Sequence, residues 1–437
     1  MNNTASGPNA AVGGGVNNVA SGNSATISGG TDNQALGYAA TVSGGETNVI
    51  TTTAQYGSVG GGIGNTVKGY AATIGGGETN SADGGATTIG GGSQNIASGD
   101  VSTIGGGQFN VAESTLATIG GGEGNNASGY GATISGGSNN ATYSDGATVG
   151  GGFYNTAVMT GTTISGGENN RANGMYATVG GGDNNIASGG GATVGGGSSN
   201  LASGDWATIP GGADNIASGA FSFAAGWNAK ATHDGSFVWG DSTNATISSA
   251  GANTFVVRAN GGIWLGQATT NLTPTIGSGI FLNTSTGAYL STGGTWTNAS
   301  DRNVKENFAP VDPQMVLEKV ANLPIQTWNY KAQDERIRHM GPTAQDFYAA
   351  FGLGEDEKHI STVDADGVAL AAIQGLYQQN QELQARIAQL EAQNAALEAR
   401  IEALERGRGW ARTANTTPWL LLGIVGLFVV ARRRQES

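Results

Sequence analysis

Between residues 12 and 209 one apolar position recurs with a fixed beat. An Ile or Val stands at Val12, Ile27, Val42, Val59, Ile74, Ile89, Ile104, Ile119, Ile134, Val149, Ile164, Val179, Val194 and Ile209. Twelve of the thirteen steps are 15 residues and one is 17. An asparagine follows six positions later every time, from Asn18 to Asn215, and the consensus is Ala-Thr-Ile-Gly-Gly-Gly-x-x-Asn-x-Ala-Ser-Gly-x-x. Fifteen residues are too few for a helical hairpin but suit one coil of a β-solenoid, with two short strands and two Gly-marked turns. Strand alternation puts Ala and Ile of Ala-Thr-Ile on one face and Thr on the other, so the Ile/Val column is the inner stack. At about 4.8 Å per coil, fourteen coils predict a rod on the order of 65 Å long. The asparagines form a ladder that either closes a tight turn or hydrogen-bonds from coil to coil, with a ligand-binding row as the alternative.

The beat stops near residue 220, so residues 1–220 are expected to form the solenoid head. Phe221 to Asp241 brings in bulky aromatics and reads as a cap, and residues 242–299 run as short β segments between Gly/Asn/Thr turns, a neck or stalk. Lys, Glu, Pro, Met and His appear together from residue 300, which marks a new domain over 300–372. A heptad then links Ile373, Leu376, Asn380, Leu383, Ile387, Leu390, Asn394, Leu397, Ile401 and Leu404, predicting a coiled coil over 373–405. Ile at a, Leu at d and Asn at a favour two strands. Residues 413–431 carry no charge, about 28 Å of helix, and Arg432, Arg433 and Arg434 follow. That predicts a single transmembrane helix with the short tail on the cytoplasmic side and the head extracellular or at the cell surface. The N-terminus shows neither the basic nor the apolar region of a signal peptide.

Composition narrows the functional classes. Glycine takes 78 of 437 positions while proline takes 8, which excludes collagen. The absence of cysteine excludes disulfide scaffolds, zinc–thiolate sites and cysteine nucleophiles. Three scattered histidines make no metal constellation, and no cofactor or metal is expected. Net charge is −13, and residues 1–210 hold only Lys68 and Arg171 against 11 acids, so nucleic acid is not an expected partner. The glycine runs lack the Gly-Lys-Ser/Thr of a phosphate loop. Outward threonines such as Thr73, Thr88 and Thr103 form only one regular column, which weighs against an ice-binding face.

Candidate chemistry lies at the junction Thr295-Trp-Thr-Asn-Ala-Ser-Asp-Arg-Asn-Val-Lys-Glu-Asn-Phe308, where Ser300 stands five residues before Lys305. That pair alone means little, because serine and lysine fall at this spacing by chance. Its surroundings are more specific: Gly-Ala-Tyr-Leu-Ser-Thr-Gly-Gly, Ser-Asp-Arg-Asn-Val-Lys, Leu-Pro-Ile-Gln-Thr-Trp-Asn-Tyr-Lys, Arg-His-Met-Gly-Pro-Thr-Ala-Gln-Asp-Phe and Ile-Ser-Thr-Val-Asp-Ala-Asp-Gly-Val-Ala-Leu follow in order within residues 287–378. Together they resemble the endosialidase-type intramolecular chaperone domain found at the C-termini of phage tailspikes and fibres. The repeats in turn resemble the β-roll head of trimeric autotransporter adhesins.

The first resemblance implies an α+β domain that drives homotrimerisation and folding of an upstream fibre and then cuts itself off. It places the scissile bond at Ala299–Ser300, the nucleophile at Ser300 and the base at Lys305, and implies three strands in the coiled coil. A lysine can serve as base only where burial lowers its pKa from about 10.4. Asp301, Arg302, His339 and Gln345 lie in the same motifs and are candidates to orient the pair or stabilise an oxyanion, although structural hydrogen bonding is the simpler role for each. His359 has no evident role. The expected protein is mainly β, a membrane-anchored trimeric fibre or adhesin-like surface protein that is an autoproteolytic serine peptidase acting on itself. The head's surface or carbohydrate ligand is unknown. The alternatives are a tailspike-like enzyme or carbohydrate-binding fibre acting on an external polymer, which would need paired carboxylates among head acids such as Glu46, Glu78, Glu123 and Glu168, or an uncleaved structural fibre.

Overall fold

A computed structural model of the chain describes residues 2–265 and 276–408. These fall into two compact units, one ending at Ile263 and the other comprising most of the chain from Gly277.

The first unit is a parallel β-solenoid. The Thr-Ile dipeptides stack in register, Thr26 on Thr41 and Ile27 on Val42, and the dipeptides after each asparagine form a second ladder in a sheet of 17 strands. A third ladder of single bridges runs through the variable positions, Val16 to Thr31 to Glu46 to Ile63 and onward to Ala213. Each coil is therefore three-sided, where the repeat alone predicts two strands. The interior is narrow and mainly apolar, its polar groups being the asparagines and a few small hydroxyl residues such as Thr87, Ser102 and Thr142: Ala20, Ala25 and Ile27 of one coil are fully buried, as are their counterparts Ala35, Ala40 and Val42 in the next. Alternation accounts for this, since Thr26 between two buried neighbours points outward. The 17-residue step adds its two residues in a turn at Thr51–Thr53, and Val42 still pairs with Val59.

Glycine closes the corners. Gly107 has φ +88°, and a methyl group on it would lie 2.0 Å from the Gly122 carbonyl oxygen of the next coil, so no other residue fits. The asparagine ladder supplies the remaining bonds. Asn33 Nδ2 donates to Gly29 O, Gly45 O and Asn18 Oδ1, while Asn18 Oδ1 also accepts from the Asn33 backbone N–H at 3.0 Å. A buried amide with every group partnered stabilises the stack, whereas an unpartnered one would destabilise it. Of the two sequence readings this is the structural one. The ladder starts one coil earlier than the Ile/Val column, because Asn3 Oδ1 accepts from Asn18 N–H.

The segment expected to cap the rod continues it instead. Phe223–Trp227, Phe237–Gly240 and Phe255–Arg258 stack in parallel as further coils. Phe223 follows Thr208 in the outward threonine column, and its ring stacks on Phe237 at 4.6 Å, which in turn stacks on Phe255 at 4.7 Å. The aromatics thus extend the ladder rather than plug the core. At the end of the unit, Arg258 Nε donates to Asp241 Oδ1 at 2.8 Å and its other nitrogens donate to the carbonyls of Trp227, Thr243 and Ala245.

In the second unit, Ile280–Thr284, Tyr289–Ser291 and Trp296–Thr297 form an antiparallel meander. Helix α1, Pro313–Asn322, starts with proline at its first position and Asp312 accepting from the Gln314 and Met315 N–H groups. A two-stranded ribbon, Gln326–Trp328 with His339–Gly341, follows. Helix α2, Ala344–Phe351, is capped by Thr343 and ended by left-handed Gly352. Helix α3 runs from Thr362 to Arg408. Val316 of α1, Phe347 of α2, and Val368 and Ala372 of α3 make a small core. Gly375 lets α1 approach, since a methyl there would meet Pro313 O at 2.2 Å. Beyond it the heptad positions Leu383, Ile387, Leu390, Leu397, Ile401 and Leu404 lie on α3 about half exposed. The predicted transmembrane stretch, 413–431, lies outside the described residues. Among the described residues no helix is long and apolar enough to cross a membrane.

Candidate functional site

The junction leaves the meander at Thr297 and enters a single 3-10 turn, Arg302–Val304. Asp301 sets that turn: its Oδ1 accepts from the Asn303 N–H at 2.9 Å and from Asn303 Nδ2 at 3.0 Å. The Lys305 N–H returns to Arg302 O. This one-turn loop brings the ends of a five-residue separation together, and Lys305 Nζ lies 2.7 Å from Ser300 Oγ. Both residues are exposed.

Protonation state decides what the contact can do. An ammonium carries three donors and no acceptor, so it donates to the hydroxyl oxygen. A general base must instead accept the hydroxyl proton through a neutral amine, and removal from water is what favours the neutral amine. The pair is geometrically joined, but the described residues do not enclose it.

The four supporting candidates are spread out. Asp301 is occupied as the cap of the turn, and a carboxylate is no oxyanion donor. Arg302 lies over the Phe308 ring, 5.6 Å from its centre. His339 packs against Trp328 and Tyr330 and its Nε2 lies 2.9 Å from Gln333 Oε1. Gln345 is exposed in the first turn of α2. Among the described residues no hydrogen bond joins His339 or Gln345 to Ser300 or Lys305. His359 pairs with Asp356, Nδ1 to Oδ1 at 2.9 Å.

One connection was not legible from the motifs. Asn298, two residues before Ser300, donates from Nδ2 to Thr362 Oγ1 at 3.2 Å, so the junction is tied to the first residue of α3. The available signal was Ser361, whose Oγ accepts from the Val363 N–H as a helix-start residue does.

Head chemistry of the polysaccharide-cleaving kind finds no support in the acids weighed for it. Glu46, Glu78, Glu123 and Glu168 lie on the third ladder, where the bridges join them to Thr31 and Ile63, to Ile63 and Ser93, to Gln108 and Ser138, and to Phe153 and Asp183. Only Glu168 and Asp183 are acidic neighbours. Among the described residues no group of three or more His, Asp or Glu gathers to hold a metal ion.

Comparison with known proteins bears on the second unit. No match was found among curated proteins. Residues 300–353, which open on Ser300 and close just after α2, match the family described as chaperone of endosialidase, a family with autoproteolytic activity in general, and this supports a tail-fibre-like trimeric protein with an intramolecular chaperone.

Proposed function

We propose that the chain is a homotrimeric, membrane-tethered fibre whose chaperone domain folds and trimerises it and then cleaves the Ala299–Ser300 bond, with Ser300 as nucleophile and Lys305 as base. The observation that carries this reading is the 2.7 Å contact between Lys305 Nζ and Ser300 Oγ at the first residue of the matched stretch. In the step itself, neutral Lys305 takes the Ser300 hydroxyl proton as Oγ bonds to the Ala299 carbonyl carbon. The Ala299–Ser300 carbon–nitrogen bond breaks, the Ser300 amine takes a proton, and water hydrolyses the resulting ester.

Trimer assembly licenses the reaction. Two strands favoured by the heptad rules become three under the constraint of the chaperone domain, and the neighbouring copies remove Lys305 from water. The Asn298–Thr362 bond supports this coupling, because it ties the scissile junction to the helix that carries the apolar seam. The anchor at 413–431 holds the C-terminal remainder in a membrane, and the solenoid head serves adhesion or surface structure outside it, without nucleic acid. Intact mass of the full chain beside Ser300→Ala tests the chemistry. A break between Ala299 and Ser300 that the variant abolishes is expected; an uncut wild-type trimer would leave the domain as a folding module that does not cleave.

A further inference from the structure

The solenoid keeps every aromatic residue of its repeats on the outside. All eleven between Tyr38 and Phe221 are exposed, and the interior holds only Ala, Ile, Val and small polar groups. Large aromatics ordinarily supply a core, so their placement here needs another cause.

They are also concentrated. Tyr38, Tyr56, Tyr70, Tyr130, Tyr176 and Trp206 all fall on one corner, three or four residues before the inner Ile or Val. At the position three residues before, the backbone is left-handed in every repeat, with φ 58° at Tyr56, 59° at Tyr176 and 58° at Trp206. Other coils place Gly131, Gly146, Gly161 and Gly191 there, the residue that this conformation suits. A bulky residue in left-handed backbone is strained, and strain retained without burial points to what the side chain presents.

The rings are arranged rather than loose. Tyr56 meets Tyr38 and Tyr70 edge to face at 5.4 and 5.6 Å across three successive coils. Trp206 lies on Gly191 of the preceding coil, where a methyl group would sit 2.5 Å from its Cε3, and Tyr176 lies on Gly161 in the same way. Each ring is thus supported from beneath, while Trp206 remains 61% exposed. The two are two coils apart, about 10 Å. Acids sit beside them on the same corner: Asp205 Oδ1 accepts from Gly190 N–H at 2.9 Å and Asp100 Oδ1 from Gly85 N–H at 2.7 Å, each leaving its second oxygen with no protein partner among the described residues.

We infer that this corner is a binding edge for a neutral polysaccharide, the rings stacking on the apolar faces of sugar rings and the fixed carboxylates accepting from their hydroxyls. The inference rests on the solenoid being the outward part of the fibre. Charge selects among partners. No lysine or arginine stands on the corner across these repeats, which disfavours an anionic polymer. In a parallel, in-register assembly of copies through this corner, Asp100, Asp145 and Asp205 would each approach their own counterparts, and like charges in register repel.

The test is migration of the full-length protein in native gels containing amylose, mannan, galactan or a β-glucan, with hyaluronate as the anionic counterpart. Trp206→Gly/Tyr176→Gly suits the backbone, so its thermal melt and its mass by light scattering should equal the wild type's. Retardation by at least one neutral polymer, weakened tenfold or more in the variant, is expected. Retardation by none of them, by hyaluronate alone, or equally in the variant overturns the assignment. A smaller assembly mass in the variant also overturns it, because the corner then joins copies of the chain. Cleavage at Ala299–Ser300, followed by mass in the same samples, reports on the chaperone independently: a cleaved trimer that ignores every glycan removes this inference alone.

Discussion

Lys305 Nζ and Ser300 Oγ are 2.7 Å apart, closed onto each other by a single turn that Asp301 caps. If the nitrogen acts as a base, it must be able to lose its proton. Arginine keeps the positive charge and the donors but does not deprotonate in proteins. Lys305→Arg should therefore leave folding and assembly intact and abolish cleavage, as Lys305→Ala should too. Intact mass after prolonged incubation reads this directly. A cleaved Arg variant would move the base elsewhere.

Two adjacent glycines give a sharp contrast in the solenoid. A methyl on Gly106 meets nothing within 4 Å, whereas one on Gly107 overlaps Gly122 O and must adopt φ +88°. Gly106→Ala should be neutral or stabilise by up to about 1 kcal/mol through the unfolded chain. Gly107→Ala should destabilise by well over the roughly 1–2 kcal/mol that left-handed backbone alone costs, because steric overlap adds to it. Urea midpoints of the two variants, measured together, check the ordering.

The buried ladder makes the next prediction. Asn110 Nδ2 donates to Gly106 O, Gly122 O and Asn95 Oδ1, and its Oδ1 accepts from the Asn125 backbone and side chain. Asn110→Ala strands several of these at once. With roughly 1–3 kcal/mol for each buried group left unpaired, the loss should exceed about 3 kcal/mol. Asn3→Ala, at the exposed first coil, should lose far less. Because stability in a stacked array is carried by neighbouring coils, hydrogen exchange should show Asn110→Ala opening the rod locally around coils 95–125.

These features separate what the chain announces from what it conceals. The inner Ile/Val column, the outward threonines and the asparagine ladder are readable because a coil of fixed length forces the same residue into the same slot. The third ladder is hidden, since its members, Val16, Thr31, Glu46 and Ile63 among them, share only a backbone bridge and no side-chain type. The last coils are hidden for a different reason. Phe223, Phe237 and Phe255 are 14 and 18 residues apart, so the beat breaks although the stacking persists. At the junction, Ser300 and Lys305 came from resemblance rather than from spacing. Their contact depends on a turn set by Asp301, and the Asn298–Thr362 bond spans 64 residues that no local pattern relates.

The end of the solenoid should respond to acid. The Asn260 N–H and the Arg258 guanidinium hold the Asp241 carboxyl well below the usual carboxylate range. A depressed folded pKa contributes stability that is present above the unfolded value of about 3.9 and is lost as pH falls through that value towards the folded one. Asp241→Asn should therefore lower the melting temperature at pH 7 and at pH 5, and its gap from wild type should close steadily between about pH 4 and pH 2. A gap that stayed constant over that range would mean that the carboxylate charge is not what the Arg258 clamp uses.

The proposed coupling of assembly to chemistry would run through the heptad positions of α3. Leu383 and Leu390 are one heptad apart on α3, and each is about half exposed. Carboxylates at such positions would be buried without partners in any coiled coil, so Leu383→Asp/Leu390→Asp should weaken association by several kcal/mol and yield monomer. Both substitutions lie more than 70 residues beyond Ser300 in sequence, and the small core of Val316, Phe347, Val368 and Ala372 uses α3 only at Val368 and Ala372, before them, so the 2.7 Å contact should survive. In the monomer Lys305 stays exposed, its ammonium continues to donate to Ser300 Oγ, and cleavage should slow by at least tenfold. Analytical ultracentrifugation and intact mass on the same sample read both halves of the claim. Unreduced cleavage by a strictly monomeric variant would show that the dyad fires without its neighbours, and that the turn at Asp301–Lys305 suffices by itself.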